Sequence, residues 1–310
     1  MDSEKHVLVI GAASTDTKGH SKHTIRLGSS TPGSIRASAG GVARNIAENL
    51  ARLGEPVVLL TAVGDDEAGR HILQVGDNCG IDVSHVIIAA GRATASYLAI
   101  LDSAGSLVMS IDDMAIIRET LSADFLNRRR ALFQQARMVV LDANLSAGAL
   151  RTVFRLARAV GLPVCADPTS TTLAPLLRPH LPELTLTTPN AAEAEALCGI
   201  RVTGRNSGLA AAHRLVSLGV KVAIVTLGAT GLVYATSHES GHIPAIEREI
   251  ADLTGAGDAL TAAVVFGLLN QLPVDEAVRL GMSAAALALQ CRETVCPNLS
   301  LDRLYDQLVI

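Results

Sequence analysis

Continuous apolar runs alternate with segments of helical spacing along this 310-residue chain. An apolar run without polar alternation is typical of a strand that is buried on both faces of a sheet. Apolar residues repeated every three or four positions predict the intervening helices. The predicted strands are residues 6–10, 56–63, 139–141, 164–166, 222–227 and 232–235, and the predicted helices are residues 42–53, 147–160, 191–197 and 208–218, with helical structure after 257. This order predicts an α/β domain whose mostly parallel sheet is covered by helices on both faces.

Two segments break this alternation. Residues 14–39 are polar and rich in Ser, Thr, Gly and His, and residues 95–101 and 107–111 flank the turn 102–105 as in a β-hairpin. We expect both segments to leave the main sheet and to form a small β lid that excludes water from a reacting group. The predicted division is a main domain of residues 1–13, 40–91 and 115–310 and a lid of residues 14–39 and 92–114.

Composition narrows the classes of function. The chain is 49% hydrophobic and 2% aromatic and has a formal net charge of −4, which argues against a nucleic-acid partner. The uncharged, apolar stretch of residues 259–274 is too short to span a bilayer, and the acidic start does not resemble a signal peptide. We expect a cytoplasmic protein whose five cysteines, scattered without a CxxC, are reduced thiols. These cysteines are Cys79, Cys165, Cys198, Cys291 and Cys296.

The most informative motif is residues 254–258, which read Thr-Gly-Ala-Gly-Asp before a long apolar run. A glycine-rich turn at a helix start directs unpaired N–H groups outward, and such groups bind anions such as phosphate. We predict an anion hole made by Gly255, Ala256 and Gly257. Asp258 beside it has the position of a base that removes a proton from an attacking hydroxyl. The alternative interpretation is a glycine-rich helix cap with an ordinary first-turn acid.

Two earlier motifs could hold a polar acceptor. Gly40 and Gly41 precede a predicted helix that carries Asn45 in its first turn, and an Asn offers a sugar diol both a donor and an acceptor. Asp16 follows the first strand, at the sheet edge where open α/β sheets bind ligands, and could accept two ribose hydroxyls. The alternatives are a solvated Asn at a helix start and an Asp that caps a turn.

Asn190 and Glu193 lie one turn apart at another predicted helix start. The pair could hold Mg²⁺ through water molecules, because Mg²⁺ keeps much of its hydration shell. The alternative is a capping box, with Asn190 as N-cap and Glu193 as its partner. Both interpretations can hold together.

A further Gly-rich turn follows the predicted strand 222–227. Thr226, Gly228 and Gly231 would let the phosphates or ribose of a nucleotide lie against the backbone. The alternative is a turn that only leads into the strand 232–235. The sequence contains neither a GxxxxGK[ST] motif nor a GxGxxG after the first strand, which argues against a P-loop enzyme and a nicotinamide-dependent dehydrogenase.

Taken in this order, these motifs resemble those of the ribokinase-type (PfkB) sugar and nucleoside kinases. The resemblance covers nearly the whole chain and implies a ribokinase-like three-layer α/β/α fold with a small β-sheet lid. It implies ATP as phosphoryl donor with Thr254 beside it, Mg²⁺, and a monovalent cation such as K⁺ near the anion hole. It also implies Asp258 as catalytic base.

Within that family the chain is most similar to the pseudouridine kinases, on residues 40–50, 95–98, 111–114 and 141–144. Those enzymes transfer the γ-phosphoryl of ATP to the 5′-hydroxyl of pseudouridine. The resemblance implies that Asp16, Gly41 and Asn45 hold the ribose, with Gly40 beside them. It also implies that the base faces three residues, which are Tyr97, Asp113 and Met114.

Other functions stay open from the sequence. The acceptor could be a different nucleoside or ribose, and a non-catalytic nucleoside-binding sensor on the same scaffold is the alternative of another class. The apolar lid residues Tyr97, Leu98 and Ile100 could pack against a second lid in a homodimer or against the core of their own chain.

Overall fold

The computed structural model describes residues 5–246, 248 and 250–308. Its strands in chain order are β1 (His6–Ile10), β2 (Ser14–Ser21), β3 (Gly33–Gly40), β4 (Val57–Leu60), β5 (Ala62–Gly64), β6 (Ile81–Asp82), β7 (Ile87–Ala89), β8 (Ser96–Leu101), β9 (Leu107–Asp113), β10 (Ala136–Asp142), β11 (Val164–Asp167), β12 (Leu184–Thr187), β13 (Val222–Thr226), β14 (Leu232–Ala235) and β15 (Ser240–Ile243). Its α-helices are α1 (Val42–Arg52), α2 (Glu67–Asn78), α3 (Ala115–Thr120), α4 (Ala123–Arg128), α5 (Arg130–Gln135), α6 (Ala147–Ala159), α7 (Ala191–Cys198), α8 (Arg205–Ser217), α9 (Ala256–Leu269), α10 (Val274–Leu289) and α11 (Leu301–Asp306).

Nine of the described strands form the central sheet, in the order β15-β14-β13-β12-β11-β10-β1-β4-β6. The strands from β13 to β6 pair in parallel, whereas β14 pairs antiparallel with both of its neighbours. The sheet therefore confirms the predicted mostly parallel arrangement, and the antiparallel strands are confined to one edge.

Helices cover both faces of this sheet. Successive residues of β1 point to opposite sides, so Leu8 packs in a cluster with Leu150 of α6, and Val9 packs in another with Ile46 of α1 and Val264 of α9. All five side chains are fully buried. Burial on both faces explains why the central strands are apolar at every position, and it produces the three layers of the α/β/α fold.

A second sheet, here called the lid sheet, contains four strands in the part of the chain that the structure describes, in the order β3-β2-β8-β9. Strand β2 pairs antiparallel with β3 and parallel with β8, which pairs antiparallel with β9. These strands come from the two segments that interrupt the βα alternation. Their side chains alternate between a face that lines a cleft with Asp252 and Arg292 and a face that points away from it.

The apolar run 56–63 forms two strands rather than the single strand that we expected. Strand β4 belongs to the central sheet, whereas β5 pairs with β7 in a separate two-stranded sheet. The chain changes sheets at Thr61, whose carbonyl accepts a hydrogen bond from the Ile87 amide at 2.9 Å. Both strands are buried, so an apolar pattern alone does not reveal the change of partner.

The expectation of five reduced thiols also differs from the structure. Cys291 and Cys296, five positions apart in the segment after α10, form a disulfide, while Cys79, Cys165 and Cys198 are free thiols. A search for the CxxC spacing misses this pair, because the turn between the two cysteines contains four residues. None of the described helices is long and apolar enough to cross a membrane.

Candidate active site

Asp258 lies in the first turn of α9 and is only 8% exposed to solvent. Asn45, from the first turn of α1, donates a hydrogen bond from Nδ2 to Asp258 Oδ2 at 2.7 Å. The two glycine-led motifs, which are 213 positions apart in sequence, thus meet side chain to side chain. The predicted base and one predicted acceptor-binding residue occupy the same site.

The orientation of the Asn45 amide is fixed by Arg44. The Arg44 Nη1 donates to Asn45 Oδ1 at 3.0 Å and to the carbonyl of Ala39 at 2.6 Å. Its Nη2 pairs with Glu48 one turn along α1. Because the guanidinium takes the amide oxygen, the amide nitrogen of Asn45 is the atom left to face Asp258.

Burial raises the pKa of Asp258 to about 7. The hydrogen bond from Asn45 and the charge of Arg44 oppose this shift, whereas the negative charges of Asp16 and Asp142 add to it. A carboxyl whose pKa lies near neutrality exchanges a proton readily, and such tuning is common in catalytic bases. The environment therefore suits proton transfer better than a solvated capping role does.

Gly255 is the N-cap of α9 and has φ = 82°, in the left-handed region that favours glycine. A Cβ at this position would overlap the carbonyl oxygen of Thr294. The first backbone hydrogen bond of the helix is donated by Ala259 N to the Gly255 carbonyl at 2.9 Å. The N–H groups of the residues between them therefore have no acceptor within the helix. A Cβ at Gly257 would meet nothing within 4 Å, which leaves open space beside these amides.

Asp16 and the glycine pair at 40–41 lie on the acceptor side of the site. Asp16 in β2 is 6% exposed and accepts a hydrogen bond from Ser14 Oγ at 2.9 Å. A Cβ at Gly40 would overlap the Asp16 carboxyl group, and one at Gly41 (φ = 93°) would lie 2.5 Å from the carbonyl oxygen of Ala12. Both positions require glycine because of close packing, Gly40 against the Asp16 carboxylate and Gly41 against the backbone of Ala12.

The strand register separates the residues that we expected to face the base. Tyr97 pairs with Asp16 across β2 and β8, so the two side chains share the cleft face of the lid sheet. Asp113 pairs with Ser96 on the opposite face, and its carboxylate accepts a hydrogen bond from Ala115 N at 3.2 Å. The neighbouring Asp112, which pairs with Tyr97, is the acid on the cleft face.

Met114 is the residue before α3, and its half-buried side chain packs against the core under one face of the central sheet. This packing explains the position of the Met114 side chain without a contact to a ligand. The register places Asp113 away from the cleft face and Met114 packs against the core, and a contact of either residue with the base stays a prediction.

The residues expected along the nucleotide come together at the end of β13. Asn190 and Thr226 form a parallel β-bridge, and Thr226 N donates to the carbonyl of Pro189 at 3.0 Å. Gly228 and Gly231 follow in a 3-10 turn with φ = 58° and 93°. The local backbone is therefore a turn that leads into β14, as in the alternative interpretation. This turn lies beside the start of α7.

Asn190 and Glu193 form a capping box. Asn190 Oδ1 accepts hydrogen bonds from the amides of Ala192 and Glu193, each at 3.0 Å, and Glu193 Oε2 accepts one from Asn190 N at 2.9 Å. Burial raises the pKa of Glu193, although its bonds with Asn190 oppose the shift. Among the described residues, no group of three or more His, Cys, Asp or Glu side chains is arranged to hold a metal directly.

Sequence reasoning did not assign two buried acids at the sheet edge. Asp142 ends β10 and accepts hydrogen bonds from the amides of Ala12 at 2.8 Å, Ala43 at 3.0 Å and Asn144 at 2.9 Å. Asp167 ends β11, and burial followed by the charges of Asp258 and Glu193 raises its pKa. Each acid directly follows an apolar run, and that position at a strand end was the available signal.

Comparison with known proteins agrees with this arrangement. The family model of the pfkB family carbohydrate kinases matches residues 4–300. The chain belongs to the PfkB family of carbohydrate kinases. It is accordingly a phosphotransferase that uses an alcohol group as acceptor.

The relatives include the pseudouridine kinase of Escherichia coli strain K12, which is 34% identical over 97% of this chain and 96% of its own length. The guanosine-inosine kinase of Exiguobacterium acetylicum is 28% identical over 96% of this chain and 99% of its own. The Arabidopsis thaliana ribokinase solved with ribose and ATP superimposes with a TM-score of 0.87 at 22% identity, covering 99% of this chain and 100% of the other. That structural likeness confirms the ribokinase-like fold of the kinase.

Replacing Gly255 with Ala should disable the anion hole. The added Cβ would overlap the Thr294 carbonyl, so the turn must shift. The first amides of α9 would then no longer point toward the predicted phosphate position. We expect phosphoryl transfer to fall by about 10²–10³-fold, the cost typical of losing one such donor. Steady-state kinetics of ADP formation measure the change.

The matched control is Gly80→Ala, because Gly80 also has a positive φ (78°) but has nothing within 4 Å of its Cβ position. This variant should lose about 1–2 kcal/mol of stability from backbone strain and keep its turnover. Normal turnover in Gly255→Ala would contradict the assignment of these amides.

Proposed function

We propose that this kinase transfers the γ-phosphoryl group of ATP to the 5′-hydroxyl of pseudouridine, with Asp258 as the base. The observation that carries the proposal is the placement of a buried carboxylate, with a pKa of about 7, directly after the N-terminal amides of α9. A hydroxyl that donates to Asp258 would lie next to amides that attract phosphate.

Asp258 and the N-terminal amides of α9 have different tasks in the reaction. The carboxylate of Asp258 accepts the proton of the 5′-hydroxyl as that oxygen forms a bond to the γ-phosphorus, and the bond from phosphorus to the β-phosphate oxygen breaks to release ADP. The amides that follow Gly255 stabilise the negative charge on the transferred group. The hydrogen bond from Asn45 holds the carboxylate in one orientation.

Asn190 and Glu193 fit a Mg²⁺ ion only through its water molecules. The Asn190 Oδ1 and Glu193 Oε2 already accept backbone hydrogen bonds, yet a carboxylate has further lone pairs for metal-bound water. When bound with ATP, Mg²⁺ neutralises phosphate charge. Thr226, Gly228, Gly231 and Thr254 would lie along the nucleotide.

The acceptor would lie between α1 and the lid sheet. Asp16 and Asn45, with the close-packed backbone of the glycine pair at 40–41, offer acceptors and donors for the ribose hydroxyls. Tyr97 and Asp112 share the cleft face of the lid sheet with Asp16 and would contact the base. An acid can accept hydrogen bonds from the ring N–H groups of a uracil-type base.

The identity of 34% with the Escherichia coli pseudouridine kinase over nearly both full lengths supports this acceptor. The guanosine-inosine kinase among the relatives supports the second candidate, a kinase for another nucleoside, and ribose is a further acceptor to test. ATP is abundant in the cytoplasm, which stays the proposed compartment. A sensor without catalysis would bind a nucleoside but release no ADP.

An acceptor panel tests this proposal directly. With ATP and Mg²⁺, we expect kcat/KM to be highest for pseudouridine among pseudouridine, uridine, adenosine, inosine and ribose. The measurement is coupled ADP release, with the phosphorylated position identified by phosphorus-31 NMR. A preference for inosine or ribose would replace the proposed acceptor, and no ADP release with any acceptor would favour the sensor.

Replacing Asp258 with Asn tests the base. The amide keeps the size of the side chain but cannot accept the proton, so kcat should fall by about 10²–10⁴-fold while ATP still binds. Turnover and ATP titration calorimetry measure the two effects. Asp77→Asn, an exposed acid of α2, is the control and should be fully active. An active Asp258→Asn enzyme would remove the assignment.

The pH profile gives an independent test of the same carboxyl. Its pKa is raised to about 7, so below that pH the group is protonated and cannot accept the substrate's proton. We therefore expect kcat/KM to fall by about tenfold per pH unit below about pH 7 and to level off above it. The residual activity of Asp258→Asn should lack this acidic limb.

We propose that a second copy of the chain packs on the outer face of the lid sheet. Four apolar side chains share that face by register and are exposed by 43% to 78%. They are Ile35, Leu98, Met109 and Ile111. Tyr97 lies on the cleft face, so it does not belong to this surface.

Sedimentation or light scattering should therefore show a dimer that Ile111→Glu converts to a monomer. The charge would be buried without a partner in the interface. Val160→Glu is the matched control, because Val160 is an apolar residue of similar exposure (42%) after α6, on the main domain. A monomeric parent enzyme, or an Ile111→Glu variant that stays dimeric, would contradict this interface.

A further inference from the structure

Lys18 joins the lid sheet to the segment before the anion hole. Its side chain leaves β2 on the cleft face, and Nζ donates to Asp252 Oδ2 at 2.7 Å and to Thr254 Oγ1 at 2.6 Å. The side chains of Lys18 and Asp252 are only 15% and 21% exposed. Thr254 directly precedes Gly255, so the ammonium acts on the residue that leads into the N-cap of α9.

Asp252 shapes this segment with both of its oxygens. Its Oδ1 accepts the backbone amide of Thr254 at 2.8 Å, while Oδ2 takes the Lys18 ammonium. Burial alone would raise the pKa of Asp252, but the bonds from Lys18 and Thr254 hold it below its ordinary value. The carboxylate is charged, and it bridges a cation and a backbone turn.

The resemblance to the family led us to expect a monovalent cation such as K⁺ near the anion hole. The side chains of Asp252 and Thr254 do not fit a free ion, because Asp252 Oδ2 and Thr254 Oγ1 already accept hydrogen bonds from an ammonium group. Arg36, Arg292 and Glu293 line the same cleft, which has a volume of about 550 Å³.

We propose that the Lys18 ammonium is a tethered monovalent cation, which holds the segment from Asp252 to Thr254 in place for phosphoryl transfer and makes the kinase independent of K⁺. Ammonium and potassium ions are similar in size and charge, and both bind oxygen atoms. Lys18 is a positioning residue, because it acts through Thr254 and Gly255. The proposal rests on the proposed kinase reaction.

The tether has a second consequence, because Lys18 belongs to the lid sheet. Its bonds to Asp252 and Thr254 also hold the lid over the acceptor side of the site. A free ion could replace the charge but not the link between the two parts. Removing the amine should therefore lower kcat in a way that an ion restores, and raise the KM for the nucleoside in a way that no ion restores.

The experiment compares the parent enzyme with Lys18→Ala in buffers that contain only tetramethylammonium as monovalent cation. KCl or NH₄Cl then replaces tetramethylammonium chloride at constant ionic strength. The parent kcat should not respond. Lys18→Ala should lose about 10–100-fold in kcat, the range expected for lost charged hydrogen bonds, and K⁺ or NH₄⁺ should restore most of it.

Two variants separate this role from general damage. Lys22→Ala removes an exposed lysine just beyond β2 and should match the parent at every salt concentration. Lys18→Ala/Asp252→Asn lacks both charges but keeps an amide oxygen for the Thr254 N–H, so it should show no ionic rescue and little further loss beyond Lys18→Ala. Lys18→Met keeps the stem of the side chain and serves if Lys18→Ala fails to fold.

A binding measurement makes the test independent of activity. The melting temperature of Lys18→Ala should rise with K⁺ or NH₄⁺ at constant ionic strength, and those of the parent and the double variant should not. This readout holds even if no acceptor proves to be a substrate. A parent enzyme that requires K⁺, or a Lys18→Ala variant whose kcat and melting temperature ignore both ions, would overturn the proposal.

Discussion

The hydrogen bond from Asn45 to Asp258 is the interaction on which the rest of the site depends. A carboxylate that is 8% exposed must find its partners within the protein, and Asn45 supplies one from another helix. This bond fixes α9 against α1, while Arg44 fixes the Asn45 amide through its oxygen and reaches back to the carbonyl of Ala39. The positions of the base, the anion hole and the end of the lid strand β3 are therefore set by one connected network rather than by separate loops.

The same edge of the sheet concentrates negative charge. Asp142 gathers three backbone amides, and its charge, with that of Asp16, raises the pKa of Asp258 beyond the effect of burial. A site that holds several buried acids is costly in isolation and becomes favourable when cations or protons enter it. Transfer of a proton to Asp258 removes part of the repulsion between these carboxylates. The charge arrangement that lowers the stability of the folded protein therefore also favours the proposed proton transfer.

The sequence predicted the central sheet well, since apolar runs such as residues 6–10 report burial on both faces regardless of topology. It also predicted which glycines precede helices. It could not predict that residues 56–63 divide between two sheets, because both parts are equally buried. Nor could it distinguish Asp112 from Asp113, since the face of a lid strand depends on register with a partner that is distant in sequence. The roles of the site residues stay predictions, and the capping box at Asn190 shows how a structural and a functional interpretation can share the same atoms.

A tethered cation and a free cation have different physical consequences. A free ion occupies its site according to its concentration, whereas an ammonium on the side chain of Lys18 has a high effective concentration whenever the lid sheet lies over the core. The link must also act in both directions: if the lid position orders the segment before Gly255, then a phosphate bound at the anion hole must favour that lid position to the same degree. Replacing an ion by a lid side chain therefore couples the acceptor side of the site to the phosphoryl side, a coupling that a diffusible ion bound only by the core could not provide.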